Sequence, residues 1–336
     1  MSLNKMQSRM TAFVDWIATE RDKEDEIREQ ADSIRNKIKA KATEDGLTIQ
    51  STPSSGSFAK RTGLRRHLRG DSVVEGQDVD LPFVVSPETD DDEKLDCLLP
   101  RFEGYAKAAY PDTELEMTKS SVCLKFTNQL SYDLVPVLAT SDPERQILIR
   151  SNGDRRETSL QKHVKFVRSR TKKSSELAGR VKFNEVVRLF KWWRYFRQDA
   201  SSVLDDVPTF IIDLLCAHAF DARGVQTGYV QTFAEWSGFL ARVIRRRELI
   251  AFNDFGRAAK SIPTGDTWGV FDPVSPDNNI VESWTALKCD ELADWFSEAH
   301  DTLHDTIITH EEDLDAQGLD ELVEVFGTPI RNHCGE

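Results

Sequence analysis

Two aspartates two residues apart, Asp78 and Asp80 in Gln77-Asp78-Val79-Asp80-Leu81, sit in an apolar run that reads as a strand. Side chains on a strand alternate, so both carboxylates project from one face. Neighbouring like charges repel and desolvate badly, which makes the pair a poor core feature. A hard divalent cation between them removes the difficulty, and Mg2+ takes carboxylate oxygens together with substrate phosphates. Upstream, Ser55-Gly56-Ser57 offers small backbone geometry and a hydroxyl for those phosphates. Together these residues point to metal-assisted nucleotidyl transfer.

A third carboxylate, Asp133, lies in Ser131-Tyr132-Asp133-Leu134-Val135-Pro136-Val137, another apolar strand. A neighbouring strand can bring it beside Asp78 and Asp80. Three carboxylates can hold two Mg2+ ions roughly 4 Å apart. One lowers the pKa of an attacking ribose hydroxyl and the other neutralises the leaving pyrophosphate. The plain alternative is that Asp133 caps a turn or pairs with a basic residue. An Asp-x-Asp pair alone arises often by chance; the order Gly-Ser, Asp-x-Asp, later strand Asp gives it weight. Ser57 opens an expected helix, where it serves as N-cap, as phosphate contact, or as both.

Further on, Phe183–Arg194 has helical spacing, and positions 186, 189, 190 and 193 account for most of it as packing. Lys191 is the less expected member, and a lysine there can reach a triphosphate as a point charge. Thr209 and Phe210, at the start of the next helix, offer a hydroxyl for phosphates and a ring for a base. Phe210 reads equally well as ordinary core.

The elements that must position these residues fall into two regions. Residues 5–43 read as one long amphipathic helix, with Met6, Met10, Phe13, Ile17, Ile27, Ala31, Ile34 and Ile38 on its apolar side. Strands are expected at Leu47–Gln50, Asp78–Val85, Glu114–Met117, Ser121–Phe126 and Tyr132–Leu138, and helices at Ser57–Gly63 and Leu95–Tyr110. Arg65–Gly76 reads as a charged loop and Asp90–Glu93 as an acidic turn. This is a helix-flanked mixed sheet. From about residue 155 the pattern is helical: His163–Arg170, Phe183–Arg197, Thr209–Phe220, Tyr229–Arg246 and Leu287–Thr309. Pro208 suits a helix start, and Asp272–Asn279 is a turn-rich insert. The fold class is therefore α+β, with one region over 1–150 (long helix plus sheet) and a helical one over 151–336.

Composition excludes several classes. With 39% hydrophobic and 30% charged residues among 336, the chain reads as soluble and globular, and it has no apolar run long enough to span a bilayer. The N-terminus lacks signal-peptide logic. Five scattered cysteines, without a Cys-x-x-Cys or Cys/His cluster, argue for a reducing, cytoplasmic setting and against structural zinc. The net charge of −13 disfavours a general nucleic-acid binder, so no stable DNA or RNA partner is expected. Residues 144–197 nevertheless carry 16 Lys/Arg against 5 Asp/Glu. That band fits a site for phosphate-rich small molecules, or else a solvated helix face.

Gly56-Ser57, Asp78-x-Asp80 and Asp133 resemble the polymerase-β-like nucleotidyltransferase superfamily. Lys191-Trp192-Trp193, Val207-Pro208-Thr209-Phe210 and Phe271-Asp272-Pro273 narrow the likeness. They are similar to the branch holding 2′-5′ oligoadenylate synthetases, cGAS and the bacterial cGAS/DncV-like nucleotidyltransferases. The resemblance implies a bilobed fold: a nucleotidyltransferase palm carrying the acids, a helical lobe closing over it, and a long N-terminal helix bracing the back. It implies two Mg2+ ions (Mn2+ as a substitute) held by Asp78, Asp80 and Asp133. It also implies triphosphate contacts from Gly56, Ser57, Lys191 and Thr209, and base stacking on Phe210. The long spacing between Gly-Ser and Asp-x-Asp, with Arg61, Arg65, Arg66 and Arg69, departs from the pattern, and no zinc-binding insertion is present.

The expected activity is joining NTPs, ATP and also GTP, into a cyclic di- or trinucleotide messenger with release of pyrophosphate. The expected setting is bacterial anti-phage (CBASS) signalling, away from membranes, with a regulatory protein partner from the same defence system. A terminal nucleotidyltransferase or linear oligonucleotide synthase is the enzymatic alternative. A catalytically silent nucleotide-binding regulator is the alternative from another class.

Overall fold

The apolar ladder at the N-terminus lapses where Thr19–Glu26 supplies no apolar residue, and the chain breaks there. In the computed structural model the expected single helix is two, α1 (Lys5–Trp16) and α2 (Arg21–Glu44). The structure describes residues 4–65, 67–69, 72–75, 78–87, 97–128, 130–177, 180–257, 268–310 and 314–332. It divides into two compact units, residues 19–165 and residues 1–18 with 166–336. The division thus lies later than residue 150, and α1 belongs with the C-terminal region. The reason is packing: Met6, Met10, Phe13 and Ile17 are fully buried and Phe13 sits edge-on to Trp192, 5.7 Å between ring centres.

The unit of residues 19–165 contains α2, β1 (Ile49–Ser51), α3 (Gly56–Lys60), β2 (His67–Arg69), β3 (Ser72–Glu75), β4 (Asp78–Val85), α4 (Leu98–Ala109), β5 (Glu114–Met117), β6 (Val122–Lys125), β7 (Ser131–Ala139), β8 (Gln146–Ile149) and β9 (Arg155–Thr158). The main sheet runs β1-β4-β7-β6-β5, and β8 pairs with β7 and with β9. β4 and β7 are parallel and the other pairs antiparallel. Alternation sets its two faces. Val79, Leu81, Phe83 and Val85 of β4, with Tyr132 and Leu134 of β7, bury against Ile27, Ile34 and Ile38 of α2 and Phe102 and Ala106 of α4. Each buried Val, Leu, Ile or Phe among them contributes about 1.5–3 kcal/mol. Asp80 and Asp133 fall on the opposite face by the same alternation.

Two expectations are corrected here. The charged segment Arg65–Gly76 holds the β2–β3 hairpin rather than a loop; strands of three and four residues carry too little apolar signal to read. The region near 155, expected to open the helices, contributes the polar edge strand β9, whose Arg155-Arg156-Glu157-Thr158 has no apolar alternation. β7 runs through Pro136 to Ala139, in register with β4 as far as Leu138. The acidic turn at Asp90–Glu93 lies outside the described residues.

The other unit packs α1 with the latter part of α5 (Leu160–Leu177), α6 (Phe183–Arg197), α7 (Ser202–Asp205), α8 (Thr209–Arg223), α9 (Tyr229–Arg245), α10 (Ala286–His310), α11 (Ala316–Phe326) and α12 (Pro329–Asn332). Its centre is aromatic. Phe190 stacks on Phe233 at 3.9 Å between ring centres, with Trp193, Trp236 and Phe296 around the pair.

Candidate active site

The parallel register of β4 and β7 sets Asp80 directly opposite Asp133 and Asp78 opposite Ser131. Neighbouring strands lie about 4.8 Å apart, so Asp80 and Asp133 are close on the face turned away from the core. The side chain of Asp78 lies outside the described portion. Asp133 sits mid-strand on the sheet's central strand and is half-buried. Burial pushes its carboxyl upward, hydrogen bonds from Ser121 and Cys123 pull the other way, and the charge of Glu116 adds to the rise. The Ser121 hydroxyl donates to Asp133 Oδ1 at 3.0 Å. Cys123 stands opposite Asp133 on β6.

Gly56 opens α3 with φ +71°, a backbone region that favours glycine. A Cβ at this position would overlap Asp80 Oδ2 and lie 2.7 Å from its Cγ. The glycine loop therefore rests directly on the second aspartate. The helix behind it is shorter than expected, Gly56–Lys60 rather than Ser57–Gly63, and its N-cap is Ser55, not Ser57. A helix this short has little dipole, so the groups that Gly56 and Ser57 offer an anion are backbone N–H groups and the Ser57 hydroxyl. A cavity of about 220 Å³ adjoins this loop, lined among others by Ser54, Ser55, Phe58, Asp80, Arg28 and Arg35. The arginines come from α2, which sequence reasoning had treated only as a brace.

These residues fit a divalent cation. A carboxylate disfavoured by burial, facing a second carboxylate across a parallel ladder, is relieved by a cation of high charge and oxygen preference. Among the described residues no cluster of three or more Cys, His, Asp and Glu side chains suited to a metal is formed, and the third expected ligand, Asp78, is the one whose side chain is not described.

Lys191, Thr209 and Phe210 belong to the helical unit. Lys191 is buried in α6, and its ammonium pairs with Asp213 of α8 at 2.8 Å. Thr209 is the first residue of α8, after the N-cap Pro208, and Thr209 and Phe210 are both half-exposed. Asp213 follows Thr209 by one helical turn, so the two share a face of α8. Arg28, Arg35, Ser121 and Cys123 near the aspartates were not expected, nor, in the helical unit, was Asp213 beside Lys191; their places depend on pairings between distant segments. The buried Asp272 of the turn-rich insert accepts from the N–H of Val274 at 2.8 Å, a local turn role.

Residues 4–170 match the Second Messenger Oligonucleotide or Dinucleotide Synthetase domain. The chain belongs to the cGAS/DncV-like nucleotidyltransferases. It is 27% identical over 289 residues to the cyclic AMP-AMP-AMP synthase of Escherichia coli strain MS 115-1, covering 84% of each chain. It is 27% identical over 281 residues to the CBASS oligonucleotide cyclase CdnC of E. coli strain KTE188, covering 81% of this chain and 82% of the relative. Among solved structures, E. coli MS115-1 CdnC superposes with a TM-score of 0.76 at 26% identity. That holds both in its HORMA-deltaN complex, covering 97% of each chain, and with ATP, covering 97% of this chain and 98% of that one. No helix among the described residues is long and apolar enough to cross a membrane.

Proposed function

We propose that this chain joins nucleoside triphosphates into a cyclic di- or trinucleotide messenger, releasing pyrophosphate, within a CBASS anti-phage system. The observation that carries the reading is the in-register pair Asp80–Asp133 beneath the Gly56 loop. The relatives named above supply the product class, and the relative solved with ATP makes ATP the first substrate to test, with GTP the second. Asp78, Asp80 and Asp133 hold the metal. Bound there, Mg2+ (or Mn2+ in its place) supplies charge neutralisation on the phosphates and acidifies the attacking hydroxyl.

The residues do the rest. A ribose hydroxyl attacks the α-phosphorus of a triphosphate, a new P–O bond forms, and the bond to pyrophosphate breaks. The Asp133 carboxylate accepts the hydroxyl proton. Gly56 and Ser57 orient the phosphates, which holds the reacting atoms in line. Thr209 contacts the triphosphate and Phe210 stacks on a base. Lys191 already has Asp213 as its counter-ion, so we assign it to positioning the start of α8 and Thr209 rather than to direct phosphate contact. A regulatory protein partner is proposed from the HORMA-deltaN complex of the relative. A cytoplasmic setting is proposed from the cysteines, none of which is in a disulfide among the described residues.

The test is incubation with all four NTPs and Mg2+ or Mn2+, with phosphatase-treated products read by mass spectrometry. A phosphatase-resistant cyclic oligonucleotide, lost in Asp80→Asn, is the expected result. A linear, phosphatase-sensitive product would make the chain a terminal transferase or linear synthase instead. Nucleotide binding without turnover, alone or with the regulatory partner, would make it a silent regulator.

A further inference from the structure

Asp133 is held from the side by a turn that the expected site did not include. The β5–β6 hairpin reverses at Thr118–Ser121, closed by the Thr118 N–H donating to the Ser121 carbonyl at 3.0 Å. Within it, the N–H groups of Ser120 and Ser121 donate to Thr118 Oγ1 at 3.2 and 2.9 Å. Thr118 Oγ1 lies 2.8 Å from Ser121 Oγ. Ser121 Oγ lies 3.0 Å from Asp133 Oδ1. A carboxylate only accepts, so Ser121 spends its one proton on Asp133. Thr118 must then donate to Ser121. The chain of donation is one-directional: backbone N–H to Thr118, Thr118 to Ser121, Ser121 to Asp133. Chains of this kind polarise one another in a partly buried setting. Ser121 is buried, and the Lys119 carbonyl of the same turn accepts from the Ser151 N–H at 2.8 Å, which pins the turn to the rest of the sheet.

We propose that Ser121, backed by Thr118, is a positioning residue that fixes the plane of the Asp133 carboxylate. Oδ1 is tied to the hairpin, and Cys123 of β6 gives the same carboxylate a second hydrogen bond. The proposal rests on the reading of Asp133 as a metal ligand. Hydrogen-bonded partners of a ligating carboxylate orient it, and their loss costs roughly 10–100-fold in metal affinity or activity.

The experiment compares wild type, Ser121→Ala, Ser121→Thr, Thr118→Ala and Asp133→Asn. Mn2+ affinity is read by electron paramagnetic resonance with a non-hydrolysable ATP analogue present, and kcat and KM are measured separately. Ser121→Ala is expected to weaken Mn2+ binding by roughly 10–100-fold and to lower kcat while leaving the KM for ATP near wild type. Ser121→Thr, which keeps the hydroxyl, should restore both. Thr118→Ala, at an exposed position that tolerates truncation, should show a smaller loss in the same direction. Wild-type Mn2+ affinity in Ser121→Ala and Thr118→Ala, alongside an inactive Asp133→Asn, overturns the proposal and spares the reading of the site. A fully active Asp133→Asn overturns the reading itself.

Discussion

Replacing Gly56 with alanine separates backbone strain from damage to the site, because the chain supplies its own control. Gly56 and Gly46 have nearly the same left-handed backbone, φ +71° and +76°. An L-residue there costs about 1–2 kcal/mol at either position. At Gly46 an added methyl meets nothing within 4 Å, whereas at Gly56 it lies 2.7 Å from Asp80 Cγ and 3.0 Å from Asp80 Cβ and overlaps Oδ2. Ordinary carbon contact is about 3.5 Å. Relief therefore moves the carboxylate by on the order of 1 Å, and a displacement of that size at a reacting centre can cost about 100-fold. That is about 2.7 kcal/mol of transition-state stabilisation. Both variants should lose a similar few degrees of melting temperature, about 2–4 °C per kcal/mol for a unit of this size. Only Gly56→Ala should lose about 100-fold in kcat/KM for cyclic product. Gly56→Ala within threefold of Gly46→Ala in turnover would refute the claim that this glycine clears space for Asp80.

Three further outcomes follow from the helical unit. Lys191→Met strands the buried Asp213 carboxylate without its counter-ion, so denaturant melts should show a loss of about 3–5 kcal/mol, and a loss under 1 kcal/mol would mean the pair is not buried as described. Phe190→Ala removes the ring stacked on Phe233 and should cost about 3–5 kcal/mol in the same assay. The His218 imidazole is held below its ordinary pKa by burial, against the opposing charges of Asp221 and Glu248. Its folded form binds fewer protons than the unfolded chain, so stability is whole above about pH 6.5 and falls as pH drops through the lowered folded pKa. The slope reaches at most about 1.4 kcal/mol per pH unit. Melts from pH 7.5 to 5 should show a shallower decline in His218→Gln than in wild type; parallel curves would contradict it.

Where local periodicity was strong, the sequence was readable to the residue. Asp78–Val85, Glu114–Met117 and Phe183–Arg197 form with the expected bounds, because each is decided by its own alternation or helical stripe. The Asp-x-Asp pair and Asp133 stood out for the same reason: charge inside an apolar strand is conspicuous. That they meet on neighbouring strands was expected, but the register was not readable, since only the parallel pairing of β4 with β7 places Asp80 opposite Asp133. Ser121 and Thr118 were invisible as site residues because their role depends on β6 lying against β7. Lys191 shows the opposite failure. Its position was expected, but its partner Asp213 comes from the next long helix, and no spacing rule within α6 reveals it. The break after Trp16 could have been found, since eight consecutive residues from Thr19 to Glu26 carry no apolar side chain.

The most direct test of the central claim, that the β4 and β7 carboxylates form one metal site, is a crystal structure grown with Mn2+ and a non-hydrolysable ATP analogue, with anomalous data collected for manganese. Manganese peaks within bonding distance of the Asp80 and Asp133 carboxylates, bridged to the triphosphate, are the predicted result. Nucleotide bound with no manganese at these two carboxylates, or manganese held elsewhere, would contradict it.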